Sequence, residues 1–202
     1  MKLEVPVIGI LRGIDAADFG PLMQASFAAG LQALEVTMNT AGAEDIIAGN
    51  RDSVPPGKYL GMGTLRNLTE AQRGYEAGAM FFVTPNVDLE VIRFAGTKNI
   101  PVIAGGLTPT EVYTAWREGA DMVKVFPCRS LGGPQYIREL RGPFDHIPLV
   151  AVGGVSAENA RDYLDAGAAG VGMGLSLFGK EAVAAKDWDA VYRNVERFIQ
   201  LL

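Results

Sequence analysis

Short apolar runs alternate with amphipathic stretches along the whole chain. The runs at 5–11, 33–37, 59–63, 81–84, 102–104, 122–126, 149–152 and 170–173 have the length and character of buried strands. Between them, apolar positions follow a helical spacing near 16–29, 42–52, 68–77, 88–98, 109–118, 134–140 and 157–166, with a last helix near 187–201. Eight strand–helix alternations without a break in composition predict a single α/β domain over residues 1–202 with a parallel sheet. Eight is the number that closes a (β/α)8 TIM barrel, with minimal loops at about 25 residues per unit. An open doubly wound sheet is the alternative.

An internal repeat favours closure. Ala29-Gly30-Leu31, Ala77-Gly78-Ala79, Glu118-Gly119-Ala120 and Ala166-Gly167-Ala168 each end a helical segment and precede a strand by a few residues. Glycine suits the left-handed residue just past a helix C-terminus. The helix starts match as well. Asn67-Leu68-Thr69-Glu70 and Thr108-Pro109-Thr110-Glu111 resemble capping boxes, Ser156-Ala157-Glu158 is a looser version, and Asp15 is positioned to cap the first helix. A two-unit period in four copies suits a closed, pseudo-symmetric barrel.

Two charges break the apolar pattern of the strands. Lys124 lies in the middle of Met122-Val123-Lys124-Val125-Phe126, and Glu35 lies between Leu34 and Val36. Alternation gives Met122, Lys124 and Phe126 one face and sets Glu35 and Thr37 on the face opposite Leu34 and Val36. In a barrel strand buried on both faces, desolvation drives an ammonium toward the neutral amine, which is a nucleophile able to form a Schiff base. The structural alternatives are a surface lysine and a buried Glu–Lys ion pair. Placed at the C-terminal ends of barrel strands, the two groups point instead to an amine nucleophile beside an acid/base. Arg12, after the first strand, can hold a carboxylate in a two-pronged hydrogen bond or bridge across the rim to Glu35. Gly153-Gly154 after the seventh strand and Gly174 after the eighth fit the phosphate site that barrels build there.

Composition narrows the function classes. A net charge of −5 with no basic run argues against a nucleic-acid surface. No apolar stretch reaches membrane-spanning length, and the single cysteine, Cys128, cannot form an internal disulfide, so the expected location is the cytoplasm. No His, Cys and carboxylate cluster has metal spacing, and no glycine fingerprint for a dinucleotide follows a strand, so no metal or organic cofactor is expected. His146, the only histidine, falls in a polar turn at the far end of the barrel, while Trp116 and Trp188 fall in helical patterns as packing residues. Cys128 falls in a loop near Lys124, open to alkylation.

Taken in order, Ile10-Leu11-Arg12-Gly13, Leu34-Glu35-Val36-Thr37, Met62-Gly63-Thr64, Val83-Thr84-Pro85-Asn86, Val123-Lys124-Val125-Phe126-Pro127, Gly133-Pro134-Gln135-Tyr136-Ile137 and Ala151-Val152-Gly153-Gly154-Val155 span nearly the whole chain. This set resembles the class I aldolases of 2-keto-3-deoxy-6-phosphogluconate and 4-hydroxy-2-oxoglutarate. The resemblance implies a homotrimer of (β/α)8 barrels that takes a small keto-acid substrate and yields pyruvate and glyceraldehyde 3-phosphate. It implies Lys124 as the Schiff-base lysine and Glu35 as the general acid/base. Arg12 and Thr64 match positions that hold the pyruvyl carboxylate, and Pro85 and Phe126 match residues framing the pyruvyl group. Asn39 and Val152 resemble the phosphogalactonate branch, where gluconate-type members often carry arginine and threonine. A serine that commonly meets the substrate phosphate falls on Leu175. Either Ser176, one position later, substitutes for it, or backbone N–H groups around Gly174 bind the phosphate alone. The rival readings are a 4-hydroxy-2-oxoglutarate aldolase, a barrel isomerase or epimerase working without a covalent step, and a non-catalytic sugar-phosphate sensor.

Overall fold

The apolar runs form eight parallel strands that close in sequence order into a barrel, in a computed structural model that describes residues 3–202. The strands are β1 (Val7–Leu11), β2 (Ala33–Thr37), β3 (Tyr59–Gly63), β4 (Phe82–Val83), β5 (Val102–Gly106), β6 (Met122–Val125), β7 (Leu149–Val152) and β8 (Gly170–Met173). Seven helices pack around them: α1 (Ala16–Ala28), α2 (Ala43–Asn50), α3 (Leu68–Glu76), α4 (Leu89–Lys98), α5 (Pro109–Arg117), α6 (Pro134–Arg141) and α7 (Ala160–Asp165). Three more complete the chain: α8 (Leu175–Phe178), α9 (Lys180–Ala184) and α10 (Trp188–Gln200). The helices α8 and α9 lie in a stretch for which the sequence predicts no element. Both are too short to carry a readable period.

The core has two compartments. One lies between sheet and helices and takes the outward residues of every strand, such as Leu34, Val36, Val123 and Val125. The other fills the barrel's lower interior with Ile8, Ala33, Phe81, Val83, Ile103 and Val150, closed by Tyr59 and Met122. The side-chain alternation of the strands is what sorts residues between them. Met122 enters the inner compartment, so Lys124, two residues on, also points inward. Ala33 does the same for Glu35.

Local capping differs in detail from the sequence reading. Thr108 and Glu111 form the reciprocal box at α5: Glu111 N donates to Thr108 Oγ1 at 3.4 Å, and Thr108 N donates to Glu111 Oε2 at 2.7 Å. Asn67 caps α3, yet the Glu70 carboxylate turns to the Arg66 backbone and guanidinium instead of closing a box. Asp15 occupies the N-cap of α1 without a side-chain bond to it. The expected start of α7 at 157 moves to Ala160, because Asn159 Oδ1 accepts from Ser156 N at 2.8 Å and holds 156–159 as a turn. Among the described residues no helix is long and apolar enough to cross a membrane.

The box at α5 has a measurable worth. Thr108→Ala removes the side-chain acceptor and is expected to lower the unfolding free energy by about 1 kcal/mol, read from urea denaturation. A midpoint identical to the parent's would show that the cap contributes nothing.

Candidate active site

The C-terminal mouth of the barrel opens into a cavity of about 440 Å³. Its floor and polar wall are made by Arg12, Glu35 and Thr64, on or just after the neighbouring strands β1, β2 and β3, and by Lys124 on β6, across the barrel from Glu35. Its apolar wall comes from Ile10, Pro85, Phe126, Val152, Val155 and Leu175. Gly153, Gly154 and Gly174 form the side above β7 and β8. The structure thus brings together ten of the residues singled out above.

Lys124 pairs with Gly105 on β5 and Val150 on β7, which fixes its Cα in the middle of the sheet. It is only 6% exposed, and Nζ lies 4.9 Å from the centroid of the Phe126 ring. Burial pushes its pKa down from the ordinary lysine value, Glu35 opposes that effect, and the Arg12 charge adds to it. No carboxylate oxygen comes within ion-pair distance of Nζ among the described residues. The surface-lysine and contact ion-pair alternatives therefore both fail.

Glu35 sits at mid-strand opposite Ile10 on β1 and Gly61 on β3, with 1% exposure. Burial raises its carboxyl from 4.5 to about 7, against the opposing charges of Lys124 and Arg12. Its Oε2 is buried with no hydrogen-bond partner among the described residues. Room for the carboxyl is made by Gly63, where any Cβ would overlap it. An unmet acceptor in a cavity is costly to folding, and it is an arrangement suited to proton exchange with a bound hydroxyl.

The Arg12 side of the mouth is built from two loops. Arg12 is exposed, and its Nη2 donates to Thr64 Oγ1 at 3.3 Å. Thr64 holds a left-handed backbone, with φ of 57°, a conformation that costs a β-branched residue roughly 1–3 kcal/mol. The loop after β1 is in turn fastened by Thr40, whose Oγ1 accepts from Gly13 N at 2.9 Å and lies 3.0 Å from Thr37 Oγ1. Across the mouth, Thr84 Oγ1 donates to Asn86 O at 2.6 Å and accepts from Gly105 N at 2.9 Å, which seats Pro85 against β5. Thr40 and Thr84 are positioning residues that sequence reasoning missed. The available signal was a hydroxyl just past an apolar strand, next to a candidate site position (Asn39 and Pro85).

Two expected site residues lie elsewhere. Asn39 is exposed and does not line the cavity, because Thr40 N bonds back to Thr37 O and the resulting turn carries residue 39 outward. Ser176 is exposed on α8 and lines a separate cleft beside α10, while Leu175 takes the place at the mouth. Cys128 is also corrected: it is fully buried, and burial pushes its thiol up to about 11, so it is shielded from alkylation. His146 lies in its turn beside Asp145, far from the mouth, and the described residues hold no group of three metal-ligating side chains.

The Glu35 shift has a sign that can be tested. Between pH 4.5 and about 7 the folded protein holds a proton that the unfolded chain has released, so stability falls as pH rises through that window. Glu35→Gln removes this loss. Its unfolding free energy relative to the parent is expected to rise by on the order of 3 kcal/mol between pH 4 and pH 8. A difference that stays constant with pH would place the Glu35 pKa at its ordinary value.

The chain was compared with known proteins. Residues 1–194 match the family model for KDPG and KHG aldolase. The 2-dehydro-3-deoxy-6-phosphogalactonate aldolase of Escherichia coli K12 is 37% identical over 88% of this chain and 86% of its own. The 2-dehydro-3-deoxy-phosphogluconate aldolase of Pseudomonas aeruginosa is 34% identical over 97% and 89%. The crystal structure of KDPG aldolase from Legionella pneumophila, with pyruvate captured as a covalent carbinolamine, superposes with a TM-score of 0.89 at 26% identity, covering 96% of this chain and 94% of that one. A family match over nearly the whole length, on a closed barrel with a buried lysine at its mouth, means that this chain belongs to the KDPG and KHG aldolase family.

Proposed function

We propose that this protein is a Schiff-base aldolase cleaving a 2-keto-3-deoxy-6-phospho sugar acid to pyruvate and glyceraldehyde 3-phosphate. The observation that carries the reading is Lys124: an amine driven toward neutrality, inside a cavity of substrate size, with a carboxyl of pKa about 7 lining the same cavity. The substrate carboxylate docks on the Arg12 guanidinium and the Thr64 hydroxyl, which brings C2 to the amine. Lys124 Nζ adds to the C2 carbonyl, and the carbinolamine loses water to leave an iminium. That cation accepts the electron pair of the C3–C4 bond as Glu35 takes the C4 hydroxyl proton. The aldehyde departs, Glu35 returns the proton to C3 of the enamine, and water releases pyruvate from Lys124.

The apolar Val152 beside the mouth supports the galactonate type over the gluconate type, as the sequence resemblance implies. A 4-hydroxy-2-oxoglutarate activity is the second reading, favoured by Leu175, an apolar and exposed side chain at the phosphate end. Trimeric assembly and a cytoplasmic location complete the proposal. The family resemblance supports the first, and the single unpaired cysteine, Cys128, supports the second.

Incubation with pyruvate and borohydride is expected to leave a stable adduct on Lys124, located by peptide mass spectrometry. Lys124→Met should give no adduct and lower kcat by at least three orders of magnitude, roughly the size of a lost covalent route. A folded parent that is not trapped would favour the proton-transfer isomerase or the sensor instead.

A further inference from the structure

We propose that Arg129, on the loop between β6 and α6, determines specificity for the substrate's distal phosphate. This assignment rests on the aldolase reading above. The cavity is electrically lopsided: its basic side chains, Arg12 and Lys124, stand at the keto-acid end, and the glycine end presents Leu175 and no charged side chain. A phosphate dianion placed there is held more tightly with a cation within reach.

Arg129 is positioned to supply it. Its backbone N donates to Gly153 O at 3.0 Å, and Cys128 N donates to Val152 O at 2.9 Å, so the loop is stitched to the end of β7. The aliphatic stem of Arg129 lies directly on Gly154, where any Cβ would overlap it. Gly154 has φ of +85°, and Gly153 before it +93°, so both the backbone and the crossing stem require glycine here. The head is free. Arg129 is exposed and, unlike Arg66, Arg73, Arg93 and Arg161, makes no ion pair among the described residues. The stem thus crosses a glycine that lines the mouth, with Arg129 itself just outside the cavity lining. The Gly154 and Val155 amides beside it donate to no protein acceptor among the described residues. A fork of guanidinium N–H groups and these amides make one anion cradle. Leu175 then needs no hydroxyl, because the charge comes from across the loop.

The test separates this assignment from the aldolase chemistry. Calorimetric titration with glycerol 3-phosphate compares the parent with Arg129→Gln and Arg129→Lys, each checked for an unaltered thermal unfolding midpoint. Arg129→Gln is expected to bind at least tenfold more weakly, with Arg129→Lys between the two. In turnover, the ratio of kcat/KM for the 6-phosphorylated keto-deoxy acid to that for 4-hydroxy-2-oxoglutarate should fall at least tenfold in Arg129→Gln, through KM. Equal affinities, no binding by the parent, or an unmoved ratio would each overturn the role of Arg129. Failure to trap pyruvate on Lys124 would instead tell against the aldolase reading and leave the anion titration standing.

Discussion

Two ionisable groups held away from water without a neutralising contact set the terms for everything else in this barrel. Lys124 and Glu35 are both almost inaccessible, and they influence each other through space instead of through a salt bridge. Were they in contact, each would stabilise the other's charge: the lysine would stay an ammonium and the carboxyl an anion. Separation lets burial win at both positions. The cost appears as an unpartnered carboxylate oxygen on Glu35. The large helix-facing core offsets that cost, which is the usual distribution of strain between a site and its scaffold.

The scaffold meets these demands with small devices close to the site. Gly63 clears the space that the Glu35 carboxyl fills, and Gly105 permits the Pro85 loop to lie against β5. Thr40 and Thr84 fasten the two loops that carry Arg12 and Pro85. None of these groups touches the substrate in the proposed reaction. Each fixes the place of one that does, and a displacement of about 1 Å at such a site can cost a hundredfold in rate.

What was legible in the sequence was whatever obeys a period. The strands, the barrel count and the inward direction of Lys124 and Glu35 all follow from alternation, which holds as long as the chain stays extended. Legibility stopped where strands end. Asn39 is turned outward by a bond between Thr40 and Thr37, and Ser176 is carried off by the short helix α8. Both directions depend on one or two backbone torsions that no spacing rule encodes. Asp15 shows the same limit at a helix start, since a capping residue type does not guarantee a capping bond. Cys128 was misread because a loop position next to a strand end was equated with exposure, whereas this loop folds back onto β7 and buries the thiol.

The carboxyl of Glu35, raised by burial to about 7, makes both of its protonation forms available to the barrel near neutral pH. At neutral pH the protonated and ionised forms are nearly equal in population, so the resting protein is as ready to give a proton as to receive one. A group displaced far to either side would have to be recharged before one half of any reversible proton exchange. This one imposes no such toll on either half. Both halves can therefore start from an appreciable fraction of the resting protein at neutral pH.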